Sequence, residues 1–584
     1  MKPSRSRFLP SLMVTVLGWA GSAMAAAPPN QSPAPEDRSL DGQSTFIDHS
    51  LWISEEFPCN WPTYPFPKFQ IVSQQRIGRS SLYHVDMLII DGNTGTQMDT
   101  PPHSVLRPEL NHPKSGPLGL AYTDRIEPWQ FGGEACVVDV RGKLEKAPLG
   151  VSPLVGPSIL EAFEKEHRAF RRGDVVLFRS DYTDLFYRPF PEGSRFINDI
   201  IDRKAEGYPD PNPDAMEWLG QRGILAAGTD SPSMGPLPDL AEATHYAGLR
   251  HGMIWTEGAT GLGRIPTTGA FYCFLGPKHE GGPYGEGRAF SIAGGELPRR
   301  LIESCREKRA RDLSPVMTPK FPMTSPGVAT GSHRQSYLKV DFLYSPELDL
   351  WHHAHWMDSM AGTHLVPPAY ALPKPQQKVE ETALQLAWRQ TYEQRWGARG
   401  TSSRTCEQVP ISWTCGPLQV IDVRAIRGST ERSTWPSSPS IDPSWIESHE
   451  ATHGKLKAGQ IVLFQTGYID RYLAMPRDTQ GRFGQGLWSD GLLGKEEGWP
   501  AVAPETIDLL HQRGIRCVAT DAPDLGGVDP QSAASTYWLL GSRDMVGIEF
   551  LCNADSLPKD SYFLFAPLKI IGCHGGPGRA IALY

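Results

Sequence analysis

Three things are scarce in this 584-residue sequence. There is no excess of positive charge: 65 acidic and 57 basic side chains leave a formal charge of −8, with the two signs interspersed. A nucleic-acid-binding face requires the opposite balance, so no nucleic-acid partner is expected. Beyond the N-terminus no apolar run is long enough to span a bilayer. Cysteine is sparse and odd in number, nine in all, and no CxxC pair of the zinc-binding kind occurs. Cys406 and Cys415 are close enough in sequence to bridge in an oxidising compartment. The other cysteines read as small buried apolar side chains.

The N-terminus is different. Lys2, Arg5 and Arg7 precede an apolar run from Phe8 to Ala20, and Ala23-Met-Ala25 offers a small-x-small cleavage site. The run is shorter than the roughly 20 residues a bilayer takes. Residues 1–25 therefore read as a secretory signal peptide, implying a secreted or periplasmic protein with no membrane attachment after cleavage. Residues 26–50 are expected to be a flexible leader.

The length exceeds what one core organises, and the sequence occurs twice. Val137-Val-Asp-Val-Arg-Gly142 is echoed by Val420-Ile-Asp-Val-Arg-Ala425, and Arg172-Gly-Asp-Val-Val-Leu-Phe178 by Ala458-Gly-Gln-Ile-Val-Leu-Phe464. Gln221-Arg-Gly-Ile224 recurs as Gln512-Arg-Gly-Ile515, and Ala227-Gly-Thr-Asp-Ser-Pro232 as Val518-Ala-Thr-Asp-Ala-Pro523. The offset drifts only from 283 at Val137/Val420 to 291 at Gly287/Gly578. Short apolar strands alternate with helical segments, one of them starting at Asn212-Pro213 and stopping at Gly223. The expectation is α/β: two tandem mixed-sheet domains, 51–296 and 338–584, joined by a linker over 297–337 that opens with a short helix near Leu301 to Arg309.

The chemistry concentrates in Asp91-Gly-Asn-Thr-Gly-Thr-Gln-Met-Asp-Thr-Pro-Pro-His103, which sets Asn93, Gln97, Asp99 and His103 among glycines and prolines after a strand-like run. This motif resembles the HxGTHxDxPxH signature of the cyclase family of metal-dependent hydrolases, which includes kynurenine formamidases and isatin hydrolases. Asn93 and Gln97 stand at the two histidines that bind metal in the family, Asp99 at its aspartate and His103 at its last histidine. His245 and Glu257, twelve residues apart in Thr244-His-Tyr-Ala-Gly-Leu249 and Ile254-Trp-Thr-Glu257, match the family's later ligand pair.

The resemblance implies a swivelling β/β/α-like fold, a metal held by Asn93, Gln97, Asp99, His245 and Glu257, and His103 as general acid/base. Two amides in place of imidazoles make the donor set oxygen-rich. That favours a divalent ion such as manganese, with magnesium or calcium compatible and zinc also retained. The reaction implied is metal-assisted hydrolysis of a C–N bond in an amide, formamide or cyclic amide, arylformamidase-like. A lactonase or dehydratase on the same scaffold, or a non-catalytic small-molecule-binding protein, are the alternatives.

The second copy aligns as Met360-Ala-Gly-Thr-His-Leu-Val-Pro-Pro-Ala-Tyr370, at an offset of 267. It therefore carries about sixteen extra residues before Val420, expected in a surface loop. Met360, Val366 and Tyr370 replace donors, Tyr537 stands at the position of His245, and only His364 and Glu549 keep ligand chemistry. This copy reads as degenerate. Since family members associate through neighbouring subunits, the tandem implies an internal pseudo-dimer, with Trp351, Trp356 or Tyr370 as wall residues of the first site, and leaves room for a homo-oligomer. The His352-His-Ala-His355 cluster reads as solvated loop histidines, and Asp230, repeated as Asp521, as a turn-holding residue.

Overall fold

A computed structural model describes residues 37–584 except 40–41, 64–67, 326–336 and 346–349. The predicted signal peptide lies outside the described residues.

Each half is built on four parallel strands. In the first, Gly132–Asp139, Asp174–Arg179, Ala226–Thr229 and Ile254–Glu257 lie side by side. In the second, Cys415–Asp422, Ile461–Gln465, Cys517–Thr520 and Val546–Glu549 repeat the order. Continuous apolar runs such as Val175-Val-Leu-Phe178 and Ile461-Val-Leu-Phe464 are buried throughout. That is the pattern of strands covered on both faces.

Helices make the crossovers: Pro157–Glu166, Pro213–Gln221 and Ala241–Leu249 in the first half, Pro443–His453, Pro504–Gln512 and Pro530–Ser542 in the second. Five of these six begin on proline, whose fixed φ suits the first turn and whose missing N–H has no partner there anyway. Asn212 caps its helix as the sequence predicts, accepting from the Ala215 N–H at 2.9 Å.

Antiparallel strands complete each sheet. Gln97–Asp99 pairs with Ile254–Glu257, setting Gln97 opposite Glu257 and Asp99 opposite Trp255. Tyr284–Glu286 pairs on its other side, with Tyr284 opposite Asp99. The second half repeats this register, with His364 opposite Glu549.

The halves share structure. Tyr337–Ser345, Leu350–Asp358, Val85–Asp91 and Gln70–Gln75 form one antiparallel sheet whose two central strands come one from each half. Phe271 and Phe274 of the first half pack in one core with Leu564 and Ile581 of the second. Arg579 of the second half, 1% exposed, donates to Asp312 Oδ2 at 2.5 Å and to the Thr123 carbonyl of the first half at 2.8 Å.

Several expectations are corrected. Residues 45–50 are not leader: Thr45–Asp48 is a strand on Arg288–Ala293, because Phe46 and Ile47 are buried there. The segment 297–337 is not a plain linker. It holds the helix Leu297–Arg306, somewhat earlier than expected, and the strand Ala310–Asp312, which pairs with Gly576–Leu583. The extra residues of the second copy hold a helix, Ala383–Trp396, opened by a Thr382/Gln385 capping box. His352, His353 and His355 lie buried on the Leu350–Asp358 strand rather than solvated in a loop. Cys406 and Cys415 do not bridge, and all nine cysteines are buried and free.

Arg579 provides a test of the joined halves. Removing Arg579 leaves Asp312 with Lys278 at 2.9 Å and the buried Thr123 carbonyl unmet, at a cost of about 1–3 kcal/mol. Arg579→Met is expected to lower the urea midpoint accordingly. A loss under about 1 kcal/mol, the size of a surface pair, would remove Arg579 as a tie between the halves.

Candidate metal centre

The register of three short strands assembles the site. Residues two apart on a strand share a face, so Gln97 and Asp99 point the same way, as do Trp255 and Glu257 on the neighbouring strand. His245 enters from the helix Ala241–Leu249 and His103 from the turn Pro101–His103. Gly95, at φ +70°, holds the left-handed turn between Asn93 and Gln97, and a Cβ there would stand 2.8 Å from Ile53.

The His245 Nε2 lies 3.2 Å from Asp99 Oδ2 and 3.5 Å from Glu257 Oε1. Its Nδ1 donates to the Ala241 carbonyl at 2.6 Å, which leaves Nε2 facing the carboxylates. The His103 Nε2 lies 3.7 Å from Asp99 Oδ2. Ligand atoms of Asp99, His103 and His245 all fall within 4.8 Å of one another. Glu257 is held on three sides: Met234 N–H donates to Oε1 at 2.6 Å, Trp255 Nε1–H at 3.2 Å, and Gln97 Nε2–H to Oε2 at 2.7 Å. Trp255 also donates to Asp99 Oδ2 at 3.2 Å. Hydrogen bonds to a charged acceptor contribute about 1.5–3 kcal/mol each, so this frame fixes the carboxylates before any ligand arrives.

Burial alone lowers the pKa of His245, but hydrogen bonds and charge from Asp99 and Glu257 outweigh it and raise it well above the ordinary value. Burial, with the charge of His245 nearby, pushes His103 down to about 3. At neutral pH the free site thus holds one protonated and one neutral imidazole.

The residues fit a divalent cation. Asp99 Oδ1 is buried with no hydrogen-bond partner, as is Asn93 Nδ2. An unpaired anionic oxygen in the interior is costly unless a cation faces it. An imidazole beside a carboxylate, as His245 is beside Asp99, is also a conventional pair of metal ligands.

The six predicted residues are thus brought to one place, with roles the sequence does not separate. His103, expected to stand clear of the metal, is grouped with Asp99 and His245. Gln97 spends its amide N–H on Glu257. Asn93 lines the cavity beside them. Sequence reasoning missed Trp255, although its position two before Glu257 on a strand signals a shared face.

The cavity has a volume of about 270 Å3. Aromatic walls come from Trp61, Phe196, Tyr208 and Trp351. Trp351 arrives from the second half as expected; Trp356 and Tyr370 do not line it. Among the described lining residues none is Lys or Arg.

The equivalent place in the second half is filled. His364 Nε2 reaches Glu549 Oε2 at 3.1 Å, where Gln97 reaches Glu257. Leu525 N–H donates to Glu549 Oε1 at 2.9 Å, as Met234 does to Glu257. Tyr537, in place of His245, donates its hydroxyl to Glu549 at 2.6 Å. Tyr370 stacks on Tyr83 at 4.7 Å. His364 and Glu549 persist as a hydrogen-bonded pair under tyrosines. Asp230 and Asp521 each accept two backbone N–H groups and a hydroxyl at a strand end, which holds the turn.

A second group of donors, His279, Glu286 and His355, lies where the halves meet. It is joined by hydrogen bonds: Glu286 to His279 at 2.9 Å, and Tyr337 to His279 and His355 at 3.0 and 3.1 Å. It reads as a buried polar network between the halves.

Two outcomes follow from the centre. A proton on His245 competes with metal, so metal affinity is expected to rise with pH through the neutral range and binding to release a proton. Calorimetry in buffers of different ionisation enthalpy measures this, and binding without proton release contradicts it. Gln97→His is expected to fold normally, since His364 occupies that register in the second half, and to bind zinc about tenfold tighter or more because imidazole is the better donor. Competition with a chromogenic chelator reads the change.

The Cyclase family model matches residues 47–236 and again 311–526. An isatin hydrolase of Roseibium aggregatum is 26% identical over 240 residues, 37% of this chain and 85% of that protein. A kynurenine formamidase of Salinibacter ruber is 26% identical over 176 residues, 30% of this chain and 66% of that protein. Among solved structures, isatin hydrolase A of Ralstonia solanacearum covers 43% of this chain and 92% of its own, at 23% identity and a TM-score of 0.36. His245 and Glu257 lie beyond the first matched segment, and their place in the site rests on their convergence with Asp99. The two matched segments span more than half of the sequence, and the chain belongs to the cyclase family in tandem.

Proposed function

We propose that the chain is a metal-dependent hydrolase of the C–N bond in an uncharged aromatic amide, formamide or lactam. One observation carries this: Asp99, His103, His245 and Glu257 converge at a cavity with aromatic walls and no Lys or Arg among its described lining residues. A substrate carboxylate remote from the metal ligands finds no Lys or Arg there, whereas a flat neutral ring finds stacking surfaces. The hydrolases named among the relatives fit the same reading.

Asp99 and His245, with Glu257 beside them, would hold a divalent cation, which would supply Lewis acidity and a water of lowered pKa, while His103 stays free of it. The His245 imidazole supports zinc or manganese over magnesium. Glu257 fixes His245 and the inner wall. His103, neutral at working pH and part-exposed to the cavity, is placed to take a proton from the attacking water and pass it to the leaving nitrogen. The carbonyl carbon gains an oxygen, the C–N bond breaks and the amine leaves protonated.

We further propose that the protein is exported, on the N-terminal pattern of Lys2 to Ala25. No helix among the described residues is long and apolar enough to cross a membrane. We also propose that the second half acts as a fused partner in an internal pseudo-dimer, supported by the sheet the halves share.

Metal analysis of the purified protein, paired with a screen of N-formyl anilines, lactams and lactones, tests the reading. Asp99→Ala is expected to lose bound metal and to lower kcat/KM by at least about a hundredfold. Adding a carboxylate to the ring end of an accepted substrate, away from the scissile bond, is expected to raise KM about tenfold or more, because no Lys or Arg among the described lining residues meets it. Equal metal content in parent and Asp99→Ala, or a preference for anionic substrates, would sink it.

A further inference from the structure

The second half reaches further into the first site than a wall. Tyr284 is almost fully buried, and its ring meets His103 edge-on at 5.0 Å and 88°. Its other edge lies against Gly92, where a Cβ would stand 2.7 Å from the ring, so nothing larger than glycine fits beside it. The backbone of Tyr284 is paired with Asp99. The tyrosine thus touches both the candidate acid/base and the strand that carries a candidate ligand.

The hydroxyl of Tyr284 is held by the other half of the chain. It accepts the His353 N–H at 3.1 Å and lies 2.6 Å from His352 Nδ1. We take the hydroxyl proton to point to His352, whose ring nitrogen stands at 2.6 Å. Nδ1 is then the acceptor and the His352 proton sits on Nε2. Both groups are buried, where an unmet partner is costly. His352 also lines the cavity.

The pair is confined to the intact site. Gly285 stands opposite Met98 as Gly576 stands opposite Leu365, so the residue equivalent to Tyr284 is Gly575. Asp91 and Asp358 each accept the N–H two residues on at 2.8 Å, which fixes Val85 as the equivalent of His352. The degenerate site has neither member, although one of the two positions lies in each half. A pair needed only to join the halves has no reason to be lost at the place where the donors are lost.

We infer that His352 and Tyr284 are positioning residues for His103, with the second half setting the orientation of an acid/base group in the first. The inference rests on the hydrolase reading for its kinetic test alone. The full-length protein is compared with Tyr284→Phe, His352→Ala and His352→Asn, the last placing an amide oxygen where Nδ1 accepts. Tyr284→Phe and His352→Ala are expected to lower kcat about tenfold or more, with KM changed less than about threefold. Their combination is expected to cost no more than the worse single change, because both remove one hydrogen bond. His352→Asn is expected to recover most of the rate.

Independently of turnover, the His103 resonance in histidine-labelled protein, assigned with His103→Gln, is expected to shift alike in Tyr284→Phe and His352→Ala and to return in His352→Asn. An unmoved resonance, or additive losses that asparagine does not recover, would overturn the inference. Tyr284→Phe keeps the test open should His352→Ala fail to fold. If the parent hydrolyses nothing, the functional proposal fails, and the resonance still decides the positioning.

Discussion

Everything at the centre depends on three residue pairs. Gln97–Asp99 lies antiparallel on Ile254–Glu257, and that register alone brings side chains more than 150 residues apart in sequence to one face. A shift of one residue would turn Asp99 away from Trp255 and set Met98 in its place, since side chains alternate along a strand. The frame around Glu257 then reads as a consequence. A buried carboxylate needs its lone pairs met, and Met234, Trp255 and Gln97 meet them from three elements. His245 adds charge to a site already stiff. The same register recurs in the second half, with His364 on Glu549, where most of the other donors are absent.

Much of the layout was legible in the sequence because it rests on short-range rules. The repeats marked two copies. Asn212-Pro213 marked a capped helix start, and the motif from Asn93 to His103 with the His245/Glu257 pair marked the donors. What was not legible depends on partners distant in sequence. Thr45–Asp48 reads as leader from its composition and becomes a strand only because Arg288–Ala293 offers an edge. The histidines from His352 to His355 look solvated by composition, yet the strand that holds them is flanked on both sides. Nor does the sequence show that the Gln97 N–H goes to Glu257. No spacing in the sequence predicts Tyr284, because its hydroxyl is met by residues of the other copy.

The two copies show how a site is closed. Donors were exchanged for groups that satisfy one another: Tyr537 hydrogen-bonds the remaining glutamate, Tyr370 stacks, and Met360 stands where Asn93 is. Burying aromatic surface against a hydrogen-bonded pair stabilises a fold without a ligand. The intact copy keeps the opposite features, with an orphaned carboxylate oxygen, an unpaired amide and open volume. Such features cost stability, and a functional site is where they are retained.

The plug over the spent site has one further meaning. Its tyrosines come from both halves, since Tyr83 precedes the first motif while Tyr370 and Tyr537 belong to the second copy. The cavity of the first site is walled in the same crossed manner by Trp351. Each pocket is therefore jointly owned. A change near one motif thus also alters a wall of the pocket that the other half helps to build.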